Sequence, residues 1–384
     1  MQEIPKRLKE KLSQRHHSDN LRVLPSVIKN GEDFFSNDYL GLAKEEAIHE
    51  AVLKKLCQTE NINGSTGSRL LSGNHIIHQK LEDFLKHFHH SDSALLFNSG
   101  YDANIGFFSS VPQRGDYIFY DELIHASIRD GIKMGFAKAI KFKHNDLADL
   151  AHKVELCRKK GAHEFYVVSE TIFSMDGDSP NLLELANYCS DKKLHLVLDE
   201  AHAIGVFGNK GEGLVQKYAL EEKVFARVVT FGKALGCHGA AILGAESLKK
   251  FLINYARSLI YSTSMSPYSV ATIQSAYEWM LNRNHLQRQL TKKISLFNDL
   301  KNQLELDNFY PSHSAIQSYV MKGNFEVKKA SSMLHDKGFL VKAILSPTVP
   351  KNKERLRICL HSFNSDNQIE KLLKELKKIR SKFD

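Results

Sequence analysis

Between residues 94 and 243 the chain repeats one pattern: a short apolar run, a cluster of polar or small residues, then a stretch with helical spacing. The runs are Ala94–Phe97, Tyr117–Tyr120, Ala139–Phe142, Phe165–Val168, Leu194–Leu198, Val228–Thr230 and Ala240–Leu243. They are short and bounded by turn residues, so they read as buried strands. Strand and helix in alternation predict an α/β fold with a mostly parallel sheet covered on both faces. A sheet of that kind holds ligands at one edge, outside the carboxyl ends of its strands.

The flanking segments read differently. Residues 1 to about 30 suggest an amphipathic helix and an extended arm ending near Gly31, and Phe34–Leu42 reads as a strand ending in a turn. His75–His89 and Tyr101–Ser110 carry helical spacing. After Pro267 the rhythm changes to long helices from Tyr268 to about Leu304, short strands at Ser318–Met321 and Arg355–Leu360, and a last helix to Phe383. The expected division is therefore an N-terminal helix and arm over 1–45, a large domain over 46–270 and a smaller α+β domain over 271–384.

With 384 residues, 42% hydrophobic and 25% charged, the chain has room for one large core and a smaller one. The charged N-terminus lacks the apolar stretch of a signal peptide, and no apolar run approaches the roughly 20 residues that span a bilayer. Its five cysteines are odd in number, scattered and without a C-x-x-C pair, which predicts reduced thiols in a cytoplasm rather than a disulfide framework or a zinc site. The net charge of +9 is spread along helices such as the one expected over Lys371–Lys382, where a solvated face is the simplest reading. A site for phosphates or an acidic carrier comes next. No motif or basic-aromatic stripe points to nucleic acid.

Two segments place chemistry at the predicted edge. Leu196–His202 is an apolar run that ends in Asp199, Glu200 and His202; Val228–Gly236 is another, broken by Gly232 and followed at once by Lys233. A carboxylate, an imidazole and an amine at one sheet edge suit pyridoxal phosphate, which needs a Schiff-base lysine and an acid facing its pyridinium nitrogen. His125 follows the strand at Tyr117–Tyr120, where a ring can stack on a flat ligand, and Ser174 follows Phe165–Val168 as a hydroxyl donor. Ser174 lacks the Gly-x-Ser-x-Gly elbow of a serine hydrolase. Phe97–Tyr101 passes from strand to helix, so Gly100 and Tyr101 are candidates for holding a phosphate at a helix N-terminus. Gly64–Arg69 is a weaker anion loop, and Gly208–Gly213 lacks the dinucleotide order of glycines. The paired histidines at 75 and 78 and at 87 to 90 lack a metal-binding helix spacing, so no metal is expected.

Taken in order, these motifs resemble the α-oxoamine synthases, within the fold-type I pyridoxal phosphate enzymes. The resemblance runs nearly end to end, through Asn37–Leu42, Gly64–Gly73, Asn98–Asn104, His125–Ile128, Ser174–Asp178, Asp199–His202, Thr230–Gly236, Tyr261–Ser264, Pro347–Pro350 and Arg355–Arg357. It implies a large domain with a mostly parallel seven-stranded sheet and a smaller α+β C-terminal domain. It implies pyridoxal 5'-phosphate bound through Lys233, with Asp199 on the ring nitrogen, His125 stacked on the ring, and Ser174 and His202 on the phenolic oxygen. Gly100, Tyr101 and Thr230 would hold ring and phosphate, and Thr263 or Ser262 would reach the phosphate from the partner of a homodimer with shared active sites. Arg357 would clamp the amino acid carboxylate, and Arg22, Asn37 and Thr348 match substrate-contacting positions. The implied reaction is the decarboxylative condensation of L-alanine with pimeloyl-CoA or pimeloyl-acyl carrier protein. Glycine C-acetyltransferase, serine palmitoyltransferase and 5-aminolevulinate synthase perform sister reactions. An aminotransferase or a non-catalytic relative of the same fold stands further off. Cys237 and His238, just after the lysine, depart mildly from the pattern and carry no implied role.

Overall fold

The computed structural model describes residues 3–24, 30–57, 63–159 and 164–383. The chain forms two compact units: Asn37–Ser174 with Ser179–Arg288, and Met1–Ser36 with Met175–Asp178 and Gln289–Asp384.

The larger unit is built on seven strands: β1 (Ser93–Phe97), β2 (Tyr117–Asp121), β3 (Lys138–Phe142), β4 (Phe165–Glu170), β5 (His195–Asp199), β6 (Ala226–Thr230) and β7 (Ala240–Gly244). Their order across the sheet is β1-β7-β6-β5-β4-β2-β3. The pairs from β6 through β5, β4 and β2 to β3 are parallel, and β7 runs antiparallel to both β6 and β1. Each apolar run of the sequence is a strand: six are extended by one or two residues, and the run at Leu194–Leu198 is shifted by one, to His195–Asp199. Every residue of β4 is buried, as a central parallel strand requires, and Phe107, Ile128, Val168, Val197 and Val228 join one apolar cluster. The pairing sets Glu170 directly beside Asp199, and Asp199 beside Val228, so polar residues emerge together where the apolar runs stop. Among the helices that follow the strands are α1 (Gly100–Ser110) after β1 and α2 (Ala126–Met134) after β2.

The smaller unit holds an antiparallel sheet of β8 (Ile316–Val320), β9 (Lys342–Ile344) and β10 (Arg355–Cys359), in the order β9-β10-β8. Its last helix, Asp366–Arg380, starts at a capping box made by Ser365 and Gln368. That helix buries Ile369, Leu372, Leu373, Leu376 and Ile379, which leaves most of its lysines outward as a solvated face. No helix among the described residues is long and apolar enough to cross a membrane, and all five cysteines are free thiols.

Two sequence expectations need correction. Phe34–Leu42 is not a strand: the pairing stops just before it, at Glu32–Asp33, which runs parallel to Phe339–Leu340, and the chain then bends through turns into a short 3-10 helix at Leu42–Lys44. Phe34, Tyr39 and Leu40 are buried as anchors of a folded-back loop, so their apolar character reflects packing rather than a ladder. The divisions at 45 and 270 also move. The backbone of Phe34 accepts a hydrogen bond from Cys359 N at 2.7 Å, which ties the arm to the C-terminal unit. Helix Pro267–Leu281 packs on helices Glu46–Leu56 and Ile76–Phe88, which keeps it in the larger unit up to Arg288. Met175–Asp178 joins the smaller unit through bonds from Ser318 to the Met175 carbonyl and from Ser312 to the Gly177 carbonyl, and through an ion pair of Arg355 with Asp176. Part of the arm expected up to Gly31 lies outside the described residues.

Candidate active site

The site forms where β4, β5 and β6 end. Asp199 is the last residue of β5 and is 6% exposed. Its Oδ1 accepts the Ala201 N–H at 2.9 Å, and its Oδ2 accepts from Asn104 Nδ2 at 3.0 Å. Two fixed donors thus hold both oxygens of a buried carboxyl as acceptors. Three residues on, His202 is buried, with Nδ1 2.8 Å from the Tyr39 hydroxyl; that hydroxyl is also 3.2 Å from Asn37 Oδ1.

Thr230 ends β6, and a tight loop carries Lys233. Phe231 and Gly239 share a backbone bond, Cys237 N donates to the Phe231 carbonyl, and Gly236 N donates to the Lys233 carbonyl at 2.8 Å. Gly236 has φ +63°, and a side chain there would collide with the backbone of Ala43. The loop thus aims a half-buried lysine whose Nζ lies 3.5 Å from Thr230 Oγ1. Cys237 Sγ donates to the Leu235 carbonyl at 3.0 Å, and burial pushes its thiol up to about 12, so it braces the loop as a neutral group.

His125 precedes α2 and caps it, its ring Nδ1 accepting the Ser127 N–H at 3.2 Å. Burial holds this imidazole below its ordinary pKa; Asp199 pulls it back up and Lys233 pushes it down, which puts all three in one electrostatic neighbourhood. The His125 N–H donates to Glu170 Oε1 at 2.6 Å. Glu170, fully buried at the end of β4, is raised well above the usual carboxyl range by burial and then by Asp199. Gly100 opens α1, where a Cβ would lie 2.7 Å from Thr230 Cγ2, so only glycine allows this approach of helix and strand. Tyr101 is 44% exposed, and its hydroxyl donates to Asp130 at 2.6 Å.

Of the residues expected from sequence, the structure brings together Gly100, His125, Asp199, Thr230 and Lys233. His202 and Asn37 meet through Tyr39. Ser174 is half-buried in the turn after β4, and Thr263 is exposed, its carbonyl accepting from Asn98 at 2.8 Å. Arg22, Thr348 and Arg357 belong to the smaller unit: Arg22 donates to Thr348 Oγ1 at 3.3 Å, and buried Arg357 donates to Cys359 Sγ at 3.0 Å. Asn104, Ser127, Glu170 and Tyr39 were given no role from sequence. For Asn104 a signal existed: it is a polar residue among the buried Ala103, Gly106, Phe107 and Phe108 of α1.

These residues fit pyridoxal 5'-phosphate. A buried carboxyl already held as an acceptor suits a protonated ring nitrogen, the Lys233 amine acts on the same imidazole as that carboxyl, and Gly100 brings the N-terminus of α1, the kind of place that suits a phosphate, close to Thr230.

Comparison with known proteins gives the same picture. Residues 29–376 match the family described as aminotransferase class I and II. The chain is 38% identical to an 8-amino-7-oxononanoate synthase of Emericella nidulans, over 98% of this chain and 94% of that one. It is 34% identical to another from Lysinibacillus sphaericus, over 92% and 90%. Among solved structures it is similar to the 8-amino-7-oxononanoate synthase of Francisella tularensis, with TM-score 0.77 and 28% identity over 92% of this chain and 99% of that one.

Proposed function

The chain belongs to the aminotransferase class I and II family of pyridoxal phosphate enzymes, and on that footing we propose that it condenses L-alanine with a pimeloyl thioester. The products are 8-amino-7-oxononanoate, carbon dioxide and free thiol, a step of biotin synthesis, and the reading places the enzyme in the cytoplasm. The observation that carries it is the meeting of Asp199, His125 and Lys233 at the end of the parallel strands, in a chain 38% identical to a synthase of that name over nearly its whole length.

The bound cofactor supplies an electron-poor ring that delocalises the electron pair left when the amino acid loses its α-proton. Lys233 holds the cofactor through its amine and afterwards moves the proton at the substrate α-carbon. Asp199, both of whose oxygens are held by fixed donors, faces the ring nitrogen as its acceptor. His125 presents a neutral imidazole face to the ring. His202 and Ser174 donate to the phenolic oxygen. Gly100, Tyr101 and Thr230 hold the ring and phosphate on one subunit, and Thr263 or Ser262 of the second subunit completes the phosphate site in a homodimer. The resemblance assigns the substrate carboxylate to Arg357, which a planar two-pronged donor matches, and substrate contacts to Arg22, Asn37 and Thr348. The net positive charge of the chain suits pimeloyl-CoA and pimeloyl-acyl carrier protein alike.

Thiol release measured with pimeloyl, acetyl, succinyl and palmitoyl thioesters against alanine, glycine and serine tests this reading. Turnover highest with alanine and a pimeloyl donor is expected. A preference for glycine with acetyl-CoA would overturn it.

A further inference from the structure

Asn104 lies one turn into α1 and is 2% exposed. Its Nδ2 carries two protons and has two acceptors, Asp199 Oδ2 and Ser127 Oγ, each at 3.0 Å. The orientation of the amide is decided by the carboxylate, which repels an oxygen and attracts the NH2. Ser127 Oγ, having accepted from Asn104, has one proton to give, and the group 2.7 Å away is His125 Nδ1. That nitrogen also receives the backbone N–H of Ser127. With donors arriving on Nδ1, the ring carries its proton on Nε2 and is neutral.

We propose that Asn104 is a positioning residue that fixes the carboxyl of Asp199 and the tautomer of His125 together, through one line of donors from helix to strand. Two observations separate this from ordinary packing. Asn104 Oδ1 is buried and makes no hydrogen bond among the described residues, a destabilising choice in an apolar helix face that an aliphatic side chain would avoid. The amide also joins the ends of three separate segments, α1, α2 and β5, at the residues assigned to opposite parts of one ring. The charged and titratable groups that bear on the line are Asp199, Lys233 and Asp130 around His125, and Glu170 and Asp121 beside them. Glu170, raised by burial and by Asp199, spends its Oε1 on the His125 N–H, so the side-chain donor that reaches Asp199 is the one from Asn104.

The inference rests on the cofactor site proposed above. Its test uses cofactor-loaded wild type, Asn104→Leu, Asn104→Asp and, as a packing control, Phe107→Leu. Three quantities are read: the near-visible absorbance band of the bound cofactor against pH, the cofactor dissociation constant by equilibrium dialysis, and the melting temperature. Loss of a bond to a charged acceptor predicts cofactor affinity at least about tenfold weaker in Asn104→Leu, and a pH midpoint of the band moved by about one unit. Asn104→Asp, which sets a second carboxyl against Asp199, should move both further, while Phe107→Leu melts earlier and keeps the wild-type band and midpoint. Asn104→Leu with wild-type band, midpoint and affinity overturns the proposal. So does a change in Asn104→Leu that Phe107→Leu reproduces at equal loss of melting temperature. A wild-type protein without any band would instead sink the cofactor site itself, so the two failures are distinct.

Discussion

Asp199 and Glu200 are joined by one peptide bond and live in opposite worlds. Asp199 faces an amide, a backbone N–H and, at longer range, an imidazole and an amine. Glu200 turns the other way, is fully buried, and is sealed by Arg227, whose Nε and Nη2 donate to Oε2 at 2.9 and 2.7 Å. Its second oxygen takes the N–H groups of Leu214 and Val215 at 2.7 and 3.0 Å. Arg227 in turn donates to the His89 and Glu212 carbonyls. The sealed acid has every bond it needs from the protein, while the open one is held so that a ligand can use it. The end of this strand thus divides two neighbouring acids between one that holds the fold and one left at the candidate site.

This division makes sharp demands on variants. Lys233→Ala, on the open side, should lower turnover by about 10⁴-fold or more while moving stability by no more than about 0.5 kcal/mol; steady-state assays beside a thermal melt check both. Glu200→Leu should do the reverse. It strands Arg227 without its partner and costs about 3–5 kcal/mol, read from denaturant unfolding, while the folded fraction keeps a kcat within a few-fold of wild type. Adding Arg227→Met should recover most of that stability, and if it does not, the pair is not what Glu200 contributes.

Acid exposes the same contrast among histidines. His78 is fully buried, its Nε2 2.9 Å from the Met265 carbonyl, and burial, followed by Arg69, lowers its pKa from 6.5 to about 4. The unfolded chain therefore binds a proton in the window that the folded one refuses. Stability from this group is complete above pH 6.5 and is lost as pH falls toward 4, by up to about 3 kcal/mol. Chemical denaturation at a series of pH values should show that slope, flattened in His78→Gln. The smallest effect belongs to Thr230→Val. Its hydroxyl meets Lys233 only at 3.5 Å, so cofactor affinity should weaken by no more than about tenfold, with melting unchanged. A larger loss would assign the hydroxyl a stronger partner than the lysine.

Much of this was legible in the residues. Apolar runs too short to be helices betrayed the strands, and the abrupt polar residues after them, Asp199 and Lys233 above all, marked the sheet edge where the candidate site gathers. Phe34–Leu42 misled because aromatic residues buried in a folded-back loop look like strand residues when only composition is read. The inclusion of Met175–Asp178 in the smaller unit was invisible because it depends on partners more than a hundred residues away, Ser312, Ser318 and Arg355. Asn104 and Ser127 stood in quoted motifs without a part to play. Their importance lies in which atoms meet across three elements, and local spacing does not encode that.

His125 serves two masters, and this limits how the enzyme can be re-engineered. The atom that fixes its tautomer also closes the first turn of Ala126–Met134. Phenylalanine or tryptophan would preserve a flat face yet leave that turn open, at a cost of about 1 kcal/mol. In the proposed site, a ring free to tilt after the cofactor would also have to let go of the helix. The imidazole is therefore pinned like a hinge leaf screwed to its frame, and exchanging it for another aromatic alters the mounting as well as the surface.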